Sequence, residues 1–190
     1  MSSASLQRWE GERAAELDRI EAAHRAIGGT ARGRRWATVQ INHAYVVLLS
    51  SQFQGFCRDL HSECVDHIVR AVRPPILHTA LRAEFVFGRK LDRGNPNPGN
   101  IGSDFSRLGI DFWAEVQAHD ARSKIRQERL ERMSEWRNAI AHQDFSGQLR
   151  PAALTLPAIR RWRGGCTGLA RSFNQVMARY IGSVVGTPPW

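Results

Sequence analysis

The sequence predicts an all-α protein: one antiparallel helical bundle over residues 1–190, with its core at about 36–184 and an N-terminal helix packed on it. Three observations carry this reading. Apolar residues recur at three- and four-residue spacing over long stretches. No convincing run alternates apolar and polar residues as a half-buried strand would. Helix breakers gather in a few places, at Gly28-Gly29, Arg73-Pro74-Pro75 and residues 88–103. A length of 190 residues, with 42% hydrophobic and 24% charged content, suits a single domain with a substantial core.

The elements follow in order. Residues 5–27 read as the N-terminal helix, with Ser5 as its N-cap, Leu6, Trp9, Leu17, Ile20 and Ile27 as apolar positions, and Gly28-Gly29 as its stop. The strongest periodicity runs from Trp36 to Val72 through Val39, Val46, Leu49, Phe53, Phe56, Leu60 and Val65. It predicts a long central helix that Gly55 weakens without breaking. A further helix is expected over 75–87. Residues 88–103, "GRKLDRGNPNPGNIGS", read as a loop, because glycine, proline and asparagine propagate neither regular structure. Short helices are expected at Asp104–Leu108 and Asp111–Ala118, and a longer one from Ala121 to Gln143. A last helix covers 157–184, with Pro157 in its first turn and Gly164-Gly165 as a point of interruption. The tail "GTPPW" reads as loose.

No apolar run reaches the roughly 18–20 residues needed to span a bilayer, and "MSSASLQRWEGERAAELDRI" lacks a signal peptide's apolar core. A cytoplasmic protein without a membrane partner is expected. The formal charge of +9 favours a polyanion, above all nucleic acid, although a preference for Arg over Lys also follows from genome composition. The basic clusters are "RGRR" at 32–35, "RRWR" at 160–163, and Arg122, Lys124, Arg126, Arg129 and Arg132 along one expected helix. Trp36 and Trp162 beside two of these clusters would either stack on bases or anchor the core.

Cys57, His61 and Cys64 share one helix face at i, i+4 and i+7, a geometry that offers three ligands to zinc. The same stripe continues the apolar positions Val46, Phe53, Leu60 and Ile68, and cysteine is among the most buried residue types. A core stripe is the expected reading; no metal or other cofactor is expected.

Arg-x4-His occurs three times, at Arg19/His24, Arg73/His78 and Arg137/His142, so the bare pattern carries no information. Two prolines after Arg73 prevent a continuous helix to His78, and the first pair sits on a face crowded with charge. In "EWRNAIAHQD" the helical projection differs. Leu130, Met133, Trp136, Ile140 and Ala141 fall in one apolar arc, and Arg137 falls inside it, where an arginine is costly unless an anion receives it. Five residues correspond to about 140°, so Arg137 and His142 do not stack, whereas Ser134, Asn138 and His142 form one row. A compact site then requires either a loosened helix end at His142 or a second copy of the helix across a dimer axis. A capping histidine beside a buried Arg–Glu pair is the structural alternative.

"EWRNAIAH" resembles the Arg–polar–x3–His signature of the HEPN (higher eukaryotes and prokaryotes nucleotide-binding) superfamily. With "LLSSQFQGFCRDLHSE" and "LDRGNPNPGNIGSDFSRLGIDFW" before it, the chain from about 40 to 150 is similar to the RiboL-PSP-HEPN branch. The resemblance implies an all-helical bundle that pairs as a homodimer with the active site at the dimer interface. It further implies a metal-independent endoribonuclease in a toxin–antitoxin, phage-defence or RNA-processing setting. Carried over position by position, Arg137, Asn138 and His142 occupy the signature positions and are the expected catalytic residues. RNA is the expected partner, together with an antitoxin or regulatory protein. A related subgroup has a tyrosine two residues after the histidine as a target of antitoxin modification; this chain has Asp144 there, so that regulation does not transfer.

The residues suit the chemistry. Histidine is the side chain that exchanges protons near neutrality, an arginine fork neutralises charge on phosphorane oxygens, and Asn138 would orient the imidazole or hold a phosphate oxygen. Attack of a 2′-hydroxyl on the adjacent phosphate gives a 2′,3′-cyclic phosphate and a 5′-hydroxyl end. The alternatives are a catalytically inactive HEPN module that binds RNA or a partner protein, and a zinc-stabilised helical protein built on Cys57, His61 and Cys64.

Overall fold

The computed structural model describes residues 2–28, 36–146, 149 and 154–190. Among them the chain is helical, with no strand. The principal elements are α1 (Ala4–Arg8), α2 (Ala14–Gly28), α3 (Trp36–Ala71), α4 (His78–Val86), α5 (Pro98–Ser106), α6 (Phe112–His119), α7 (Ser123–His142) and α8 (Leu156–Val185). A π-helical turn at Trp9–Arg13 joins α1 to α2, so the N-terminal helix is one rod with a bulge rather than a uniform helix over 5–27. Its cap also differs from expectation. Ser3 Oγ accepts the Leu6 N–H at 3.1 Å, while Ser5 is buried inside the first turn.

The four long helices alternate in direction, the expected antiparallel bundle. Glu21 meets Tyr45 and Arg13 meets Gln52, so α2 and α3 run opposite ways. Phe145, just past the end of α7, stacks on His43 near the start of α3 at 5.6 Å. Arg126 lies on Gly168 and Arg129 on Gly165, which sets α7 antiparallel to α8. The diagonal pair α3 and α8 runs parallel and meets through Phe53 and Phe173 at 6.2 Å. α5 and α6 close the bundle at that level: Phe105 stacks on Phe112 at 4.3 Å, and Phe112 meets Phe173 edge-on at 4.8 Å. These rings are fully or almost fully buried, and each such burial contributes about 1.5–3 kcal/mol.

Several boundaries depart from the sequence expectation. Helix 75–87 splits into a 3-10 turn at Pro75–Leu77 and α4. The expected loop 88–103 ends at Asn97, where α5 begins and absorbs the short helix expected at Asp104–Leu108. Asn97 Oδ1 caps α5 by accepting the Asn100 N–H at 2.7 Å, and Pro98 occupies its first turn. Ile101 and Phe105 then bury one face, which offsets the poor propensity of Gly99 and Gly102. α8 runs unbroken through Gly164 and Gly165, because its buried face, which includes Gly165, is anchored by Ile159, Trp162, Cys166, Leu169 and Phe173. The tail is not loose: Trp190 packs against the core. The expected stop at Gly29 and the "RGRR" cluster at 32–35 lie outside the described residues.

His61 sits fully buried where α3 meets α5. Its Nε2–H donates to the Asp104 carbonyl at 3.1 Å, and its Nδ1 faces Arg89 Nη1 at 3.5 Å. Burial, reinforced by the Arg89 charge, lowers its pKa from 6.5 to about 4. The unfolded chain therefore binds this proton first. The His61 contribution to stability is complete above about pH 6.5, falls as pH drops toward about 4, and levels off below that. The loss over that window is on the order of 3 kcal/mol. Urea unfolding across the window checks it: the pH slope flattens in His61→Gln, which keeps a donor for the Asp104 carbonyl and does not titrate.

Candidate functional site

α7 ends in a tightly defined turn. Gln143 takes the left-handed conformation (φ 54°). The Asp144 N–H reaches the Ala139 carbonyl at 3.0 Å and the Gln143 N–H reaches the Ile140 carbonyl at 3.4 Å. This is the Schellman pattern, with His142 as the last helical residue. Gln143 Nε2 adds a bond to the Ile140 carbonyl at 2.7 Å, and Phe145 folds back over His43 and Trp136. The helix end is therefore firm, not loosened, and the angular gap between Arg137 and His142 persists.

The orientation of α7 corrects the projected arc. Leu130, Met133, Trp136 and Ile140 are buried as expected, together with Ala139, but Ala141 is exposed. Arg137 is half-buried at the edge of the arc and is not in a buried Arg–Glu pair; its Nη1 donates to Asn138 Oδ1 at 3.4 Å. The helix is gripped by α3 on one side and α8 on the other, which rolls Arg137 toward the rim. Along the polar row, Ser134 is buried, while Asn138 and His142 emerge into solvent. Arg137 and Asn138 are thus brought together, and His142 stands exposed one turn further along.

A residue outside the expected set joins them: Asn95 Nδ2 donates to Asn138 Oδ1. Its segment is held by a buried polar network. Asp104, 1% exposed, accepts the N–H groups of Lys90 and Leu91 at 2.8 and 2.9 Å. Gln54 on α3 donates to the carbonyls of Leu91 and Gly94 at 2.6 and 2.9 Å, and Asn100 holds the Asn95 carbonyl at 2.8 Å. The "NPNP" run in the sequence marks this turn chemistry, but only the tertiary contact brings Asn95 to α7.

The other sequence candidates resolve as follows. Trp162 is a core anchor, 8% exposed, and Trp36 is 78% exposed. Cys57, His61 and Cys64 are all fully buried, both ring nitrogens of His61 face protein partners, and burial pushes both thiols up. Thiols held protonated and an imidazole already engaged make a poor zinc set; among the described residues no cluster of three metal-ligating side chains forms. No described helix is long and apolar enough to cross a membrane.

The left-handed cap generates a prediction. A non-glycine residue there costs on the order of 1 kcal/mol, partly offset by the Gln143 side-chain bond. Gln143→Gly is expected to hold the thermal midpoint or raise it by a few degrees, and Gln143→Val to lower it, as read by circular dichroism. Compared with known proteins, the chain matches no family model, no curated protein and no solved structure.

Proposed function

We propose that this chain is a metal-independent endoribonuclease of HEPN type that acts as a homodimer, with Arg137, Asn138 and His142 as its catalytic residues. The observation that carries the reading is the open polar edge at the end of α7, where an exposed histidine stands one turn from an Arg137–Asn138 pair on a rigid helix. A second copy of α7 across a two-fold axis supplies what one chain lacks, an arginine and a histidine facing one cleft. His142 takes the 2′-hydroxyl proton or returns one to the departing 5′-oxygen. Arg137 binds the non-bridging oxygens as charge develops in the phosphorane. Asn138, already oriented by Asn95, holds a phosphate oxygen or the imidazole. The P–O5′ bond breaks as the O2′–P bond forms.

One observation favours a second reading, an inactive module that binds RNA or a partner protein. Within the chain, Arg137 engages Asn138 and not His142. Incubating total RNA with wild type, Arg137→Ala and His142→Ala in EDTA separates the two. Wild type is expected to yield 2′,3′-cyclic phosphate ends, with each substitution lowering the rate by about 100-fold or more. Intact RNA in all three reactions, or equal cleavage in all three, rules the ribonuclease out. Light scattering at working concentration tests the dimer, and a monomer that still cleaves rules out the shared cleft.

A further inference from the structure

Several surface cavities lie away from the end of α7. Three adjoin along one face of α8, with volumes of about 530, 500 and 190 Å³. Arg171 lines all three, and Arg126, Arg163, Thr167 and Gly168 each line two, so they form one trough, with α8 as floor and α2 and the first half of α7 as walls. From Arg160 to Arg171 the trough follows α8 for about 16 Å.

Its chemistry is cationic. Arg122, Arg126, Arg160, Arg163 and Arg171 line it, against the carboxylates of Glu21 and Asp120, with Glu10 at one end. Each arginine leans on a carboxylate: Arg160 on Glu21 at 2.5 Å, Arg163 on Asp18 at 2.8 Å, Arg171 on Glu10 at 2.7 Å, and Arg126 and Arg122 on Asp120 at 2.6 and 3.1 Å. A guanidinium has five donors, and these contacts use a minority of them. The side chains of Arg122, Arg160 and Arg171 are 77%, 48% and 64% exposed, so their pairs exchange readily with another anion.

The floor is shaped for close approach. A Cβ on Gly164 would meet nothing within 4 Å, and one on Gly168 would strike the Arg126 guanidinium, which lies across that glycine. On α7, Arg129 and Arg137 project to the same side as Arg126, with the buried Leu130 and Met133 between them. Length, openness and repeated single positive charges fit a chain of phosphates better than one compact anion.

We propose that this trough binds the sugar–phosphate backbone of single-stranded RNA and leads the strand toward Arg137. The inference rests on RNA as the substrate. Recognition is of phosphate, so single-stranded DNA of equal length competes as well as RNA.

Gly164 offers a clean test, because a Cβ there meets nothing within 4 Å and each replacement improves helix propensity. In a His142→Ala background with EDTA, fluorescence anisotropy follows a labelled RNA of about 12 nucleotides. Gly164→Glu is expected to weaken binding about fivefold or more, Gly164→Lys to tighten it, and Gly164→Ala to leave it unchanged, with the effects shrinking between about 50 and 200 mM salt. Equal binding by all four proteins, or binding by none, overturns the trough. Equal displacement by polyglutamate of matched charge also overturns it, in favour of an acidic protein partner. If charge at Gly164 tunes RNA binding but wild type does not cleave, the ribonuclease reading fails and the trough stands. If wild type cleaves and charge at Gly164 has no effect on binding, the reverse holds.

Discussion

The buried Asp104 carboxylate is the fixed point on which the candidate site depends. Its two oxygens take the N–H groups of Lys90 and Leu91, while its own carbonyl takes His61. Arg89 spans the same region, bonding Ser62 at 2.9 Å and Asp92 through two 3.2 Å contacts. Leaving two buried donors unpaired costs about 1–3 kcal/mol each, so the connection between α4 and α5 has one seat. That seat places Asn95 against Asn138. A glycine- and proline-rich stretch thereby becomes a rigid bracket for the exposed edge of α7.

α7 then serves two regions. Its first half sets Arg126 across Gly168, and its last turn presents Arg137, Asn138 and His142. The formal charge of +9 is therefore not spread evenly in effect. Arg126 is paired with Asp120, whose carboxyl Arg122 and then Arg126 hold well below the usual range. Arg160 lowers Glu21 in the same direction, against its partial burial. Composition measured the excess of cations, whereas the contacts decide which of them have donors to spare.

The long helices were legible because apolar periodicity over twenty or more residues reports a single buried face. The bundle followed from the breakers between them. What escaped was set by partners far away in the chain. Gly164-Gly165 read as a break, yet the apolar neighbours on the buried face of α8 keep it continuous. Pro98 to Gly102 read as loop because composition does not show Ile101 and Phe105 docking. At the candidate site, the Ser134–Asn138–His142 row was legible from spacing alone. The roll of α7 was not, since it depends on being gripped from two sides, and so Arg137 came out at the rim while Ala141 came out exposed. Asn95 could not have been assigned to α7 from any local pattern.

The N-terminal rod meets α8 through three ion pairs, Glu10 with Arg171, Asp18 with Arg163 and Glu21 with Arg160. Each step back along one helix is matched by an equal step forward along the other. Any one of these exposed contacts contributes little stability. Together they act as a vernier. A slip of the whole N-terminal rod by a single residue turns it by about 100° and takes all three carboxylates out of line at once. Weak bonds at matched intervals thus give positional accuracy that their energies alone would not suggest, and a helix sitting partly on long polar side chains keeps a defined height along the bundle.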